Sequence, residues 1–145
     1  MPSSGPKADA PPADEAAARI AAAESAVARL GDVFRDGALS QIQTIETLCA
    51  EAKTADEARR AAILEKIGDI AHDLKGQGSS FDYVLVTRIG AMLCDYVRGD
   101  VGADEDKLAH AERCHMALGG VLRHGLTGDG GELGGEILRA LDARV

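Results

Sequence analysis

The sequence predicts an all-α fold, an antiparallel four-helix bundle with an additional helical segment at its N-terminus. Three observations predict it. Apolar residues recur every three or four positions in one stretch after another, and no run alternates with the period of two that marks a strand. The prolines are Pro2, Pro6, Pro11 and Pro12, so no residue from 13 onward imposes that kind of helix break. Alanine, leucine, isoleucine and valine supply the apolar content, with Phe34, Phe81, Tyr83 and Tyr96 as the aromatics, a composition suited to helix-on-helix packing.

Residues 1–12, rich in Pro, Ser, Ala and Gly, read as a disordered tail, and residues 13–145 as a single helical domain. Asp14 is placed to cap a first helix carrying Ile20, Val27, Leu30 and Phe34. Gly31 and Gly37 weaken its continuation and Asp36 could cap a new start, so one bent helix and two separate helices both fit. Leu39, Ile42, Ile45, Leu48 and Cys49 then form a stripe running to about Lys53. Thr54 and Glu57 have the spacing of a capping box and open a central helix that runs to about Gly78. On that helix Ile63, Ile67, Ile70, Leu74 and Phe81 share one face, and His72 lies on the other with Gly68, Asp69, Lys75 and Gly76.

Ser79 to Tyr83 reads as a short connection, with Asp82 as N-cap of the next helix. Leu85, Val86, Ile89, Met92, Leu93, Tyr96 and Val97 form the inward face of that helix, which Gly99 to Ala103 closes. A further helix starts near Asp104, with Leu108, Ala111, Cys114, His115, Leu118, Val121 and Leu122 inward. Asp129-Gly130-Gly131-Glu132 caps a last helix that buries Leu133, Ile137 and Leu141. Short loops between long helices favour antiparallel neighbours.

The net charge of −8, with no basic cluster, argues against nucleic acid or an anionic membrane as partner. Cys49, Cys94 and Cys114 are odd in number and widely spaced, which points to a reducing, cytoplasmic setting and away from a disulfide framework. No apolar run approaches the ~20 residues that span a bilayer, and the N-terminus lacks a secretory pattern. The expectation is a soluble cytoplasmic protein. The first amphipathic stripe suits pairing with a second copy as well as folding back, so the oligomeric state is open.

His72 carries the chemistry. An imidazole with a pKa near 6.5 is largely neutral and nucleophilic at cellular pH, and on a rigid helix it can attack an electrophile carried by another molecule. Lys75, three residues on, puts a positive charge over the same patch, where it can neutralise a phosphoryl group. Gly76 and Gly68, one turn to either side, leave room for the carrier of that group. Each glycine costs about 1 kcal/mol of helix propensity. An approaching partner would offset that cost.

His72-Asp73-Leu74-Lys75-Gly76, followed by Gly78, Ser79, Ser80 and apolar Phe81, resembles the histidine phosphotransfer (HPt) domain of bacterial multistep phosphorelays. Val86, Ile89 and Gly90 match the spacing of that family's following helix, so the resemblance extends over about residues 63–97. It implies a four-helix bundle in which His72 is the phosphoacceptor, Lys75 stabilises the phosphoryl group, and Gly68, Asp69, Gly76 and Ser79 belong to the docking surface. It further implies exchange of the phosphoryl group with an aspartate on a response-regulator receiver domain, with a hybrid histidine kinase as a further partner. No cofactor of the chain's own is expected, magnesium being the receiver's, and the chain is a carrier with no kinase or nucleotide-binding motif of its own. Two departures stand out. Asp82 occupies the place of a family glycine, and Cys94 and Asp95 lie where some members carry a glutamine near the histidine.

Other readings compete with this one. The docking surface could serve a non-catalytic interaction module, or the motif could be incidental in an all-α structural protein. His110 and Cys114, four residues apart, could chelate zinc with His115 or Cys94, although packing accounts for them better. Gly128-Asp129-Gly130-Gly131 follows no strand, so it reads as a tight interhelical loop, not a phosphate-binding one.

Overall fold

The computed structural model describes residues 12–142; the tail expected over residues 1–12 lies, up to residue 11, outside the described residues. The fold is all-α, with five α-helices among the described residues. They are α1 (Ala13–Ala52), α2 (Glu57–Gly78), α3 (Val84–Arg98), α4 (Asp104–Arg123) and α5 (Gly131–Asp142), and a 3₁₀ turn (Ser79–Phe81) follows α2. No helix among them is long and apolar enough to cross a membrane. The described residues fall into two units that part between Phe34 and Arg35.

In the first unit, α1 starts at Ala13, so Asp14 sits in the first helical turn instead of capping it. There its charge meets the positive end of the helix. Gly31 and Gly37 both lie within α1, so the open question of one helix or two resolves as one, and Asp36 caps nothing.

The second unit is the bundle. From α1 it takes Ala38, Ile42, Ile45, Leu48, Cys49 and Ala52, all buried. From α2 it takes Ile63, Leu64, Ile67, Ala71 and Leu74; from α3, Leu85, Val86, Ile89, Leu93, Cys94 and Val97; from α4, Ala111, Cys114, Leu118, Val121 and Leu122. These stripes recur at the three- and four-residue spacing that keeps one face inward. Connections of four or five residues join α1 to α2, α2 to α3 and α3 to α4; α2 packs on α3 and α3 on α4 as antiparallel neighbours. Arg59 reaches back across the first connection to Glu51 at 2.8 Å, and Lys107 closes the third by donating to the Gly99 carbonyl at 2.6 Å.

The structure corrects several local expectations. The cap of α2 is Asp56, whose carboxylate accepts from the Arg59 N–H at 2.8 Å; Thr54 turns its hydroxyl back to the Glu51 carbonyl. Asp82 is no N-cap. It adopts the left-handed conformation (φ 65°, ψ 24°) that reverses the chain after the 3₁₀ turn, and Tyr83 takes the cap position of α3. Phe81 lies in that turn, 36% exposed, outside the buried face of α2. On α4 the inward histidine is His110, not His115. Its ring packs edge-on to Tyr96 with centroids 4.7 Å apart, and its Nε2 lies 3.4 Å from Cys114 Sγ. Leu133 is 51% exposed on α5, which buries Gly134 and Leu141 instead. Asp129 does cap that helix start, accepting from the Gly131 N–H at 2.9 Å.

Candidate functional site

His72 stands exposed on α2, one residue after buried Ala71 and two before buried Leu74. Those anchors hold the backbone against α3 and leave the imidazole in solvent. No hydrogen bond engages the ring among the described residues, and the residue is exposed. Asp69, Asp73, Lys75 and Gly76 are exposed on the same side of the helix. The ammonium of Lys75 has no carboxylate within ion-pair distance among the described residues.

The glycines around this histidine fall into two kinds. A Cβ added at Gly76 would meet no neighbouring atom within 4 Å, so its missing side chain faces open space. Gly68, expected to be open in the same way, is buried. A Cβ there would lie 2.9 Å from Arg98 Nε and 3.4 Å from Val97 Cγ2. The space it vacates is filled by the chain itself, because the end of α3 crosses α2 at that point. Arg98 continues over the edge of the helix to pair with Asp69 at 2.5 Å. Asp69 is therefore already engaged, and a guanidinium stands one turn before His72 as Lys75 stands one turn after it.

Under the C-terminal end of α2 the two helices come closest. A Cβ at Gly90 would lie 3.0 Å from the Lys75 backbone nitrogen and 3.1 Å from the Ala71 carbonyl. One at Gly78 would lie 2.7 Å from the Thr87 backbone nitrogen and 2.8 Å from the Tyr83 carbonyl. Thr87 ties this junction together. Its hydroxyl donates to the Lys75 carbonyl at 3.0 Å and accepts from the Ser79 N–H at 2.8 Å, with the Ser79 hydroxyl 3.1 Å away. These bonds satisfy backbone groups that a helix end leaves without partners, so the backbone beneath Lys75 and Gly76 is fixed. Ser79, expected at the docking surface, is exposed but bonded inward.

Thr87 and Arg98 escaped the sequence reading because their roles depend on the register of α3 against α2. The one sequence signal pointing to that register is Gly90, a small residue in an otherwise bulky inward stripe. The glutamine position has no substitute contact: Cys94 is buried, with Arg98 Nη1 at 3.5 Å from its sulfur, and Asp95 is exposed.

A buried thiol and a groove among the described residues lie apart from His72. Burial, and then the nearby charge of Glu112, push the Cys49 thiol from its ordinary 9.0 up to about 11, which keeps it protonated and unreactive. No cluster of three or more His, Cys, Asp or Glu side chains suited to a metal forms among the described residues. A groove of about 500 Å³ lies between the second half of α1 and α4, lined by Glu46, His115, Met116 and Arg123 among others, and does not include His72. Burial lowers the pKa of His115 there.

No family model, curated protein or solved structure matches this chain.

The site is thus an exposed imidazole on a rigid helix, between a lysine and an arginine, with an open glycine beside it. That arrangement suits chemistry whose other half arrives on the surface of a second molecule.

Proposed function

We propose that the protein is a histidine phosphocarrier that exchanges a phosphoryl group between His72 and the aspartate of a response-regulator receiver domain. The observation that carries this reading is the solvent-facing His72 ring beside a glycine that no neighbouring part of the chain fills. A neutral ring nitrogen attacks the phosphorus of the aspartyl phosphate; the P–N bond forms, the P–O bond to the carboxylate breaks, and the aspartate leaves as a carboxylate. The other ring nitrogen keeps its proton, so the step needs no base from this chain. Lys75 neutralises charge on the phosphoryl oxygens, and Gly76 admits the partner's surface. The receiver brings its own magnesium, and the carrier supplies only position and charge. The backbone at Asp82 also supports the reading, because the place where the resembled pattern has glycine is here left-handed, a conformation glycine adopts without strain.

The test is transfer from a phosphorylated receiver. The wild-type chain is expected to take up an acid-labile, alkali-stable label, and His72→Gln none, with the circular dichroism of the two superimposable. A wild type that labels from no receiver of its own genome, or a His72→Gln variant that labels equally well, rules the proposal out.

A further inference from the structure

We infer that the first unit pairs with the same segment of a second copy as a parallel two-stranded coiled coil. Along α1 the residues Ala16, Ile20, Ala23, Val27 and Leu30 follow one another at intervals of four, three, four and three, the spacing of a heptad seam. The large members of this seam stand in water: Ile20 is 59% exposed, Val27 68% and Leu30 59%. Val33 widens the stripe at 69% exposure. Scattered exposed apolar residues need no explanation, but a continuous stripe along one helix marks an interface.

The residues select the occupant. Ile20 and Val27 take the a positions and Leu30 a d position, and β-branched a with leucine at d is the pattern that favours two parallel strands. Ala16 and Ala23, at the other d positions, let the backbones approach closely. The e and g positions that flank the seam between Ala16 and Leu30 carry two charges, Arg19 at g and Glu24 at e. In a parallel, in-register pair Arg19 of each copy faces Glu24 of the other, which makes two attractive contacts. An antiparallel pair centred on the seam brings Glu24 against its own symmetry mate. Arg19 already contacts Glu15 at 2.9 Å within the helix, but that pair is exposed and holds it weakly. The remaining charges, Asp14, Glu15, Arg29 and Asp32, lie on the outer positions.

Sedimentation equilibrium on the full chain tests the inference, with the mass of a dimer expected at the higher protein concentrations. Glu24→Arg sets arginine against Arg19 and is expected to weaken association about tenfold, and adding Arg19→Glu restores it. Val27→Asp yields a monomer that keeps its helical circular dichroism. Ala23→Cys, at a d position where parallel copies meet, oxidises to a covalent dimer. A chain that stays monomeric throughout, or a dimer that survives Val27→Asp or ignores Glu24→Arg, overturns the inference. His72→Gln leaves association unchanged, so the result is independent of the carrier proposal.

Discussion

Gly76 and Gly78 sit two residues apart near the end of the same helix, with opposite surroundings. The missing Cβ of Gly78 is the space into which the start of α3 packs; that of Gly76 opens onto solvent. Gly68, a turn before His72, belongs with Gly78, because Arg98 and Val97 occupy the space it leaves. A glycine that its own chain has filled is explained by the fold. One that nothing in the fold fills, as also at Gly31, Gly37 and Gly120, lowers helix stability by about 1 kcal/mol without internal return; what sets Gly76 apart from those three is its place one turn from His72. On this comparison the proposed docking surface is narrower than the sequence suggested, with Gly68 closed and Gly76 open.

The strongest way to break the comparison is at Gly78. Gly78→Ala places a methyl against the backbone of Thr87 and Tyr83, which cannot yield as a flexible side chain can. Chemical denaturation should show a loss of about 2 kcal/mol, the overpacking penalty less the gain in helix propensity. A variant as stable as wild type would mean that α3 does not approach α2 as described.

Gly76→Gln tests the other half and should move two readouts in opposite directions. Stability rises by somewhat under 1 kcal/mol, because a good helix former replaces glycine in open space. Phosphoryl uptake from a receiver slows about tenfold or more, equivalent to about 1.4 kcal/mol in the barrier. Unchanged transfer would remove Gly76 from the docking surface.

The smallest effect is expected at Asp82. A left-handed conformation costs an L-residue about 1–2 kcal/mol, less for aspartate than for most, so Asp82→Gly should stabilise the chain by about 0.5 kcal/mol, net of the added freedom of the unfolded chain. Thermal melts under matched conditions resolve that shift, and a destabilised variant would show that the Asp82 side chain does more than tolerate the turn.

Much of the fold was legible in the order of residues, because helical periodicity is a local property. The inward stripes of α2 and α3, the opening of α4 at Asp104 and the Asp129 cap all follow from spacing and capping chemistry within a few positions. Errors arose where neighbouring signals competed. The capping-box spacing pointed to Thr54, but the cap is Asp56, whose carboxylate reaches the Arg59 N–H. On α4, His110 and His115 sit on different sides of the helix, and packing against Tyr96 selected the former.

The candidate site divides along the same line. By itself the sequence determined that His72, Lys75 and Gly76 share the outer face of a helix, since the angle per residue fixes which side chains emerge together. It also carried the heptad spacing of the first helix and the two charges beside it. Only the tertiary structure decided that Gly68 is closed while Gly76 is open, that Arg98 arrives to hold Asp69, and that Thr87 pins the helix end under Lys75. Each of those depends on the register of α3 against α2. Register is set by how two surfaces interlock over their whole contact, and no short stretch of either helix encodes it.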